Sequence, residues 1–253
     1  KDPLKTHLLQ TTMLSLILGV ELKLSRSQLA DLGITAFFHD IGHGPLINPQ
    51  TRKEGGWQQF NHGDAGLGLL LKHRGFHTAK IQRILTLFEH HNPASDAKQN
   101  SLFSRIIHVA DAYETFTGRM AGDATVSPTE ALEKISEGMG KEFDPIIGQA
   151  LINRLGRYPP GTILILSDQT MAISLGSNGR LVSFNRPSVI LLRDREGNQL
   201  PGHVINLLDE RYHKIAIAGI VPYDPNIDPR NELVAHIWPE LLNILEYYKA
   251  SYA

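Results

Sequence analysis

Histidine is the residue type that distinguishes this sequence, because its ring nitrogens bind metal ions and exchange protons near neutral pH. The chain has 253 residues and 12 histidines, and eight of the histidines lie within the first 91 residues. Two dipeptides are the most informative. His39-Asp40 ends one apolar segment and His90-His91 ends another. Polar pairs that end apolar helices are typical of a metal site or of acid–base chemistry.

The absence of cysteine narrows the chemistry that these histidines can do. Without cysteine there are no thiolate metal sites, disulfides or cysteine nucleophiles, so imidazole and carboxylate are the strong metal ligands that remain. Two ions that share a site need a bridging carboxylate and ligands from several helices. The chain offers seven such groups, namely His7, His39, Asp40, His62, His90, His91 and Asp111. Their joint occurrence predicts a metal centre.

The elements that must position these groups are predicted from apolar periodicity. Up to about residue 155 the apolar residues recur at helical spacing, and Ser127 and Asp144 are predicted helix caps. From residue 158 the pattern changes to short β-rich runs at residues 162–166, 171–175, 181–184, 189–193 and 214–218, followed by a last helix at about 231–248. We expect a mainly α fold, with a helical domain over 1–156 and a small antiparallel β subdomain plus terminal helix over 157–253.

Composition limits the partners. The formal net charge of −1 offers no general attraction to nucleic acid or anionic lipid, so we expect neither as a partner. No apolar run approaches the roughly 20 residues that cross a bilayer, and we expect a cytoplasmic protein without a membrane span. The first residue is Lys1 and not Met, so an upstream sensor domain stays open as a partner, as does a second copy in a homodimer.

The ordered set of ligands resembles the HD superfamily of metal-dependent phosphohydrolases and, more narrowly, its HD-GYP subclass. The resemblance runs from His7 to about Asp144 and rests on the segments FFHDIGHG, EHHN, RIIHVADAYETF and FDP. It implies a helical bundle with two ions, one held by His7, His39, Asp40 and Asp111, and the other by Asp40, His62, His90 and His91. The resemblance also implies that Asp40 bridges and that hydroxide between the ions attacks phosphorus.

Two departures from the HD-GYP pattern concern the centre itself. Pro3 stands where the subclass has a Glu that supports a third ion, so we expect two divalent ions. The ligand types suit iron or manganese, which we favour, as well as zinc, nickel or magnesium. His43 replaces the Lys of HDIGK that contacts phosphate. We assign His43, with Asp40, to catalysis, because an imidazole can still donate a hydrogen bond to phosphate.

Two further departures concern the substrate. The Gly-Tyr-Pro loop that names the subclass is missing after His91. Arg119 lies one residue earlier than the subclass's phosphate-contacting arginine, and Arg105 is a second candidate for a phosphate contact. The resemblance implies a phosphodiesterase that acts on a signalling cyclic dinucleotide such as cyclic di-GMP. Two alternatives stay open: an HD-type nucleotidase or deoxynucleotide phosphohydrolase, in which HDIGH also occurs, and a degenerate HD-GYP module that binds a nucleotide without turnover.

Overall fold

The computed structural model describes residues 3–43, 62–72, 78–96, 100–118, 125–177, 184–200 and 202–221. The chain divides into two compact units. The first comprises Lys1–Ala124 and Glu133–Leu151, and the second comprises Thr125–Leu132 and Ile152–Ala253. The predicted domain boundary at residue 156 stays a prediction.

Seven α-helices precede the sheet in the described part of the chain, which confirms the expected mainly α class with an antiparallel β region near the C-terminus. They are α1 (Pro3–Glu21), α2 (Arg26–Phe38), α3 (His62–Lys72), α4 (Thr78–Glu89), α5 (Leu102–Thr117), α6 (Pro128–Gly138) and α7 (Pro145–Leu155). Short 3-10 turns lie at Ala94–Asp96 and Glu210–Tyr212. No helix of the described ranges is both long and apolar enough for a bilayer crossing.

Side-chain caps define where several of these helices begin. Ser25 caps α2 in a reciprocal box with Gln28. Both predicted caps are confirmed. Ser127 accepts a hydrogen bond from the backbone N–H of Glu130 at 3.1 Å, and Asp144 accepts from the first backbone N–H groups of α7 at 2.9 and 3.1 Å. These side chains satisfy backbone donors that have no partner inside the helix.

The packing of the first unit explains why His7 of α1 is buried. The buried positions of α1 recur every three or four residues and therefore share one face: Leu4, His7, Thr11, Ser15 and Leu18. Helix α1 packs against α2 and α5. Helix α5 is mostly buried, with Ile106 and Ile107 fully enclosed. His7 lies on this inner face of α1 and is thereby directed towards α5.

The second unit contains one antiparallel sheet with the strand order β4-β3-β2-β1-β5. Its strands are β1 (Ile163–Leu166), β2 (Met171–Gly176), β3 (Ser188–Arg193), β4 (Val204–Asn206) and β5 (Ile217–Ile220). β1 to β3 confirm three predicted runs. β5 begins and ends later than the predicted run 214–218, and β4 was not predicted. Residues 181–183 of the third predicted run and the terminal helix at 231–248 lie outside the described residues.

Candidate metal centre

Five helices carry the seven predicted ligands, within or directly beside the helices. His7 lies in α1 and Asp111 in α5, while His62 is the first residue of α3. His39-Asp40 directly follows α2, and His90-His91 directly follows α4. Helix ends suit this task, because a side chain there can turn away from its own helix towards a shared point.

The structure brings the seven groups into two clusters, each with its ligand atoms within 4.8 Å of one another. The first cluster comprises His7, His39 and Asp111. Its Nε2 atoms lie 3.1 Å (His7) and 3.6 Å (His39) from Oδ1 of Asp111. The second cluster comprises Asp40, His62, His90 and His91. The Nε2 atoms of His62 and His90 are 3.4 Å apart.

Asp40 lies between the two clusters and turns one oxygen towards each. Its Oδ2 is 3.5 Å from Nε2 of His7 and 3.6 Å from Nε2 of His39. Its Oδ1 is 3.4 Å from Nε2 of His62 and 3.3 Å from Nε2 of His90. A carboxylate in this position has the geometry of a bridging ligand.

The donor set fits divalent ions. Ligands bound to zinc at about 2.0–2.1 Å in a tetrahedral arrangement lie about 3.3–3.4 Å from one another, close to the 3.1–3.6 Å between the ligand atoms given above. Nε2 of His39 and Oδ1 of Asp40 are buried and make no hydrogen bond within the described structure. A buried polar atom without a partner is costly, and coordination would satisfy both atoms.

The hydrogen bonds behind the imidazoles fix which nitrogen faces the centre. Nδ1 of His39 donates to the carbonyl of Ala36 at 2.7 Å, and Nδ1 of His90 donates to the carbonyl of Thr86 at 2.7 Å. Nδ1 of His7 is hydrogen-bonded to the carboxylate of Glu114. Each bond leaves Nε2 as the atom directed at the cluster, as in metal-binding histidines.

A glycine allows the segment after α2 to approach α3 closely. A Cβ atom on Gly42 would lie 1.8 Å from the carbonyl oxygen of His62. No side chain fits there. The glycine of the HDIGH segment therefore lets His62 approach Asp40 and His43.

Charges differ between the two clusters. Burial alone would lower the pKa of His7, but its hydrogen bonds to Asp111, Asp40 and Glu114 outweigh burial and raise the pKa to about 12. Burial would raise the pKa of Asp111, but the close imidazoles of His39 and His7 hold it well below its usual range.

In the second cluster the balance is reversed. Burial lowers the pKa of His62 to about 4, because the opposing attraction of Asp40 is smaller. Burial would raise the pKa of Asp40 itself, but the charge of His39 and the close imidazoles of His7 and His90 lower it well below its usual range. At neutral pH this cluster therefore offers a neutral His62 and a charged carboxylate, the protonation states that bind metal ions.

The structure describes two of the three predicted phosphate contacts, and it places them differently. His43 is buried beside the centre, with Nε2 3.8 Å from Oδ2 of Asp40 and its ring stacked on His62 at a centroid distance of 4.3 Å. Arg105 donates from Nη1 to Asp144 at 2.7 Å. Arg119 lies outside the described residues.

Two residues beside the ligands were not predicted as site residues from the sequence. One is Glu114, behind His7. It follows Asp111 by three residues and so lies on a neighbouring part of the same helical face, but this spacing does not indicate which residue its side chain contacts. The other is His108, whose Nδ1 donates to the backbone carbonyl of His90. Only the fold reveals that contact.

Comparisons with known proteins agree with this geometry. Residues 4–115 match the HD domain family, a range that includes all seven ligands. A cyclic di-GMP phosphodiesterase of Pseudomonas aeruginosa is 24% identical over 216 residues, which cover 79% of this chain and 51% of that protein. The chain thus spans about half the length of the curated relative it matches.

Proposed function

We propose that residues 4–115, which match the HD domain family, form a metal-dependent phosphohydrolase domain, and that the protein is a two-ion phosphodiesterase that cleaves a cyclic dinucleotide such as cyclic di-GMP. The observation that carries the proposal is the position of Asp40, which turns one carboxylate oxygen to each cluster. The similarity to a cyclic di-GMP phosphodiesterase supports the choice of substrate.

The proposal assigns the ligands to two ions. His7, His39 and Asp111 would hold one ion, His62, His90 and His91 would hold the other, and Asp40 would bridge them. A pair of bound divalent ions supplies an activated water and compensates the negative charge of the phosphate oxygens. Imidazole with carboxylate suits iron or manganese, and the same ligands accept zinc, nickel or magnesium.

The protein's own residues perform the remaining tasks. Asp40 keeps the two sites at a fixed separation, because one rigid carboxylate belongs to both. Burial lowers the pKa of His43, so its imidazole is neutral at physiological pH and retains one N–H. From its place beside Asp40, that N–H would donate to a phosphate oxygen of the substrate. His43 would thus replace the lysine of HD-GYP proteins with a neutral donor.

One observation favours a second candidate. The neutral donor at His43 carries no permanent charge, and HDIGH also occurs in HD-type nucleotidases and deoxynucleotide phosphohydrolases. A nucleoside phosphate is therefore the alternative substrate class. Both candidates use the same two clusters, so they differ in substrate and not in the metal centre.

A competition assay tests the proposal. The protein is reconstituted anaerobically with Fe(II) or Mn(II) and incubated with cyclic di-GMP and dGTP in one mixture, and products are separated by chromatography. We expect linear pGpG or GMP with the unmodified protein and none with Asp40→Ala. Asp31→Ala is the matched control, since Asp31 lies on the helix before Asp40 and outside both clusters.

Each outcome of this assay separates the candidates. Loss of dGTP with cyclic di-GMP intact would transfer the proposal to the nucleotidase class. Two bound ions with both nucleotides intact would overturn the enzymatic proposal and support a module that binds without turnover.

A further inference from the structure

Glu114 is a buried carboxylate that no part of the proposed reaction yet uses. Its residue is 3% exposed, and it lies one helical turn after Asp111 on α5. Its Oε2 is hydrogen-bonded to Nδ1 of His7, whose Nε2 faces the first cluster. Burying a carboxylate is costly unless it is paired and hydrogen-bonded, so this position requires the imidazole opposite it.

The end of α5 makes room for this side chain. A Cβ atom on Gly118 would lie 2.5 Å from Oε1 of Glu114 and 2.5 Å from the carbonyl oxygen of the same residue. Only glycine leaves space for the carboxylate to fold against its own helix end. The two residues act together: Gly118 leaves room for the Glu114 side chain, and Glu114 contacts His7.

The support behind His7 differs in kind from the support behind two other ligands. His39 and His90 donate their Nδ1–H to backbone carbonyls, which are neutral acceptors. His7 instead has a carboxylate. A charged acceptor makes a stronger hydrogen bond and raises the basicity of the opposite ring nitrogen. The ligand with the charged support belongs to the first cluster.

We infer that Glu114 is a positioning residue that orients His7 and strengthens it as a ligand for the ion of the first cluster. The inference rests on the proposed function only in that it requires the clusters to bind ions. It assigns no role to Glu114 in contacting the substrate. Residues of this kind typically contribute 10- to 100-fold to metal affinity.

The test measures ion binding and needs no substrate. Co(II) is titrated anaerobically into the metal-free protein and followed by calorimetry and by its visible absorption. We expect the unmodified protein to bind two ions. Glu114→Gln should weaken one of the two sites about 10-fold and Glu114→Ala about 100-fold, with a changed absorption band for that site. Glu114→Asp, which keeps the carboxylate, should recover part of the affinity.

Glu89→Gln is the matched control. It makes the same chemical change at a partly buried carboxylate, which accepts hydrogen bonds from Ser101 and Ser104 at the start of α5 and, within the described residues, makes no hydrogen bond with a ligand side chain. Both sites should keep their affinity in this variant. Thermal melting in a chelator shows that each variant is folded.

The result that overturns the inference is specific. Glu114→Gln and Glu114→Ala that bind both Co(II) ions with unchanged affinity would show that the carboxylate serves folding alone, even if both variants melt at a lower temperature. Selective weakening of one site supports the positioning role even in a protein that cleaves no cyclic dinucleotide. A protein that does not cleave cyclic di-GMP would refute the proposed function and leave this inference untouched.

Discussion

The first and second clusters share Asp40 and yet are built differently. The first is enclosed, since His7 and His39 are 2% and 1% exposed, and it contains Asp111 and has Glu114 behind it. The second groups three imidazoles with Asp40, and its His91 is exposed. One cluster is therefore rich in buried negative charge, and the other is rich in neutral donors and lies nearer to solvent.

Because of this difference, ions on the two sides of one bridging residue would have different roles. Asp40 and Asp111 would neutralise an ion in the first cluster, and burial would screen it from water, which favours tight binding. An ion in the second cluster would keep more of its positive charge, and the exposed His91 would leave it within reach of solvent. We expect the first site to be the structural half of the centre and the second to be the half that meets substrate.

The largest effect should follow from removing the shared ligand. Asp40→Ala takes one oxygen from each cluster, so we expect the variant to lose both ions and all turnover. Elemental analysis after gel filtration measures the ions, with Asp31→Ala as the control for folding. Ions retained at the level of the unmodified protein would refute the bridging role.

The next effect should separate the clusters. We expect His7→Ala to lose the ion of the first cluster and His62→Ala to lose that of the second, because each variant removes a ligand that faces only one side of Asp40. Calorimetric titration with Mn(II) should show one ion per chain in each variant. Loss of both ions from either variant would mean that the clusters bind ions cooperatively and cannot be treated as two separate sites.

The contrast could be predicted from sequence only in part. Ligands such as His39-Asp40 and His90-His91 stand out because polar pairs interrupt apolar helical patterns. Glu114 does not stand out, because a glutamate in a helix has the same local pattern whether it faces solvent or a buried histidine. Its role depends on the packing of α1 against α5, which joins residues 107 positions apart. Local periodicity contains no such information.

The fold, too, could be predicted from the sequence only in part. The helices and the longer strands were predictable because they contain repeated apolar spacing. Strand β4 is only three residues long, too short to establish an alternation, and pairing with β3 defines it. The start of β5 is likewise set by its pairing with β1, which includes a register shift. Sheet partners decide these boundaries, and a single strand's sequence does not name its partner.

A smaller effect is expected from pH. Because the pKa of His7 is raised to about 12, this imidazole carries a proton at neutral pH in the metal-free protein, and an ion must displace it. The pKa of His39 in the same cluster is raised as well, so the affinity of the first cluster should rise at least about tenfold per pH unit between about pH 6 and pH 8. His62, with its pKa lowered to about 4, is already neutral, so the second cluster should change little. Calorimetry of His62→Ala measures the first site and calorimetry of His7→Ala measures the second. An equal dependence of affinity on pH at the two sites would contradict the difference in charge between the clusters.

The smallest effect should come from His43, which touches both halves of the centre. Its Nε2 lies near the Asp40 oxygen that faces the first cluster, while its ring stacks on His62 of the second. If His43 donates to the substrate's phosphate, His43→Ala should raise KM about tenfold, the value of one hydrogen bond to a charged group, and leave both ions bound. His43→Lys should lower KM again, because an ammonium also donates to phosphate. An unchanged KM together with loss of the second ion would instead make His43 a support for His62, and the second cluster would then have a positioning residue of its own, as we infer for Glu114 in the first.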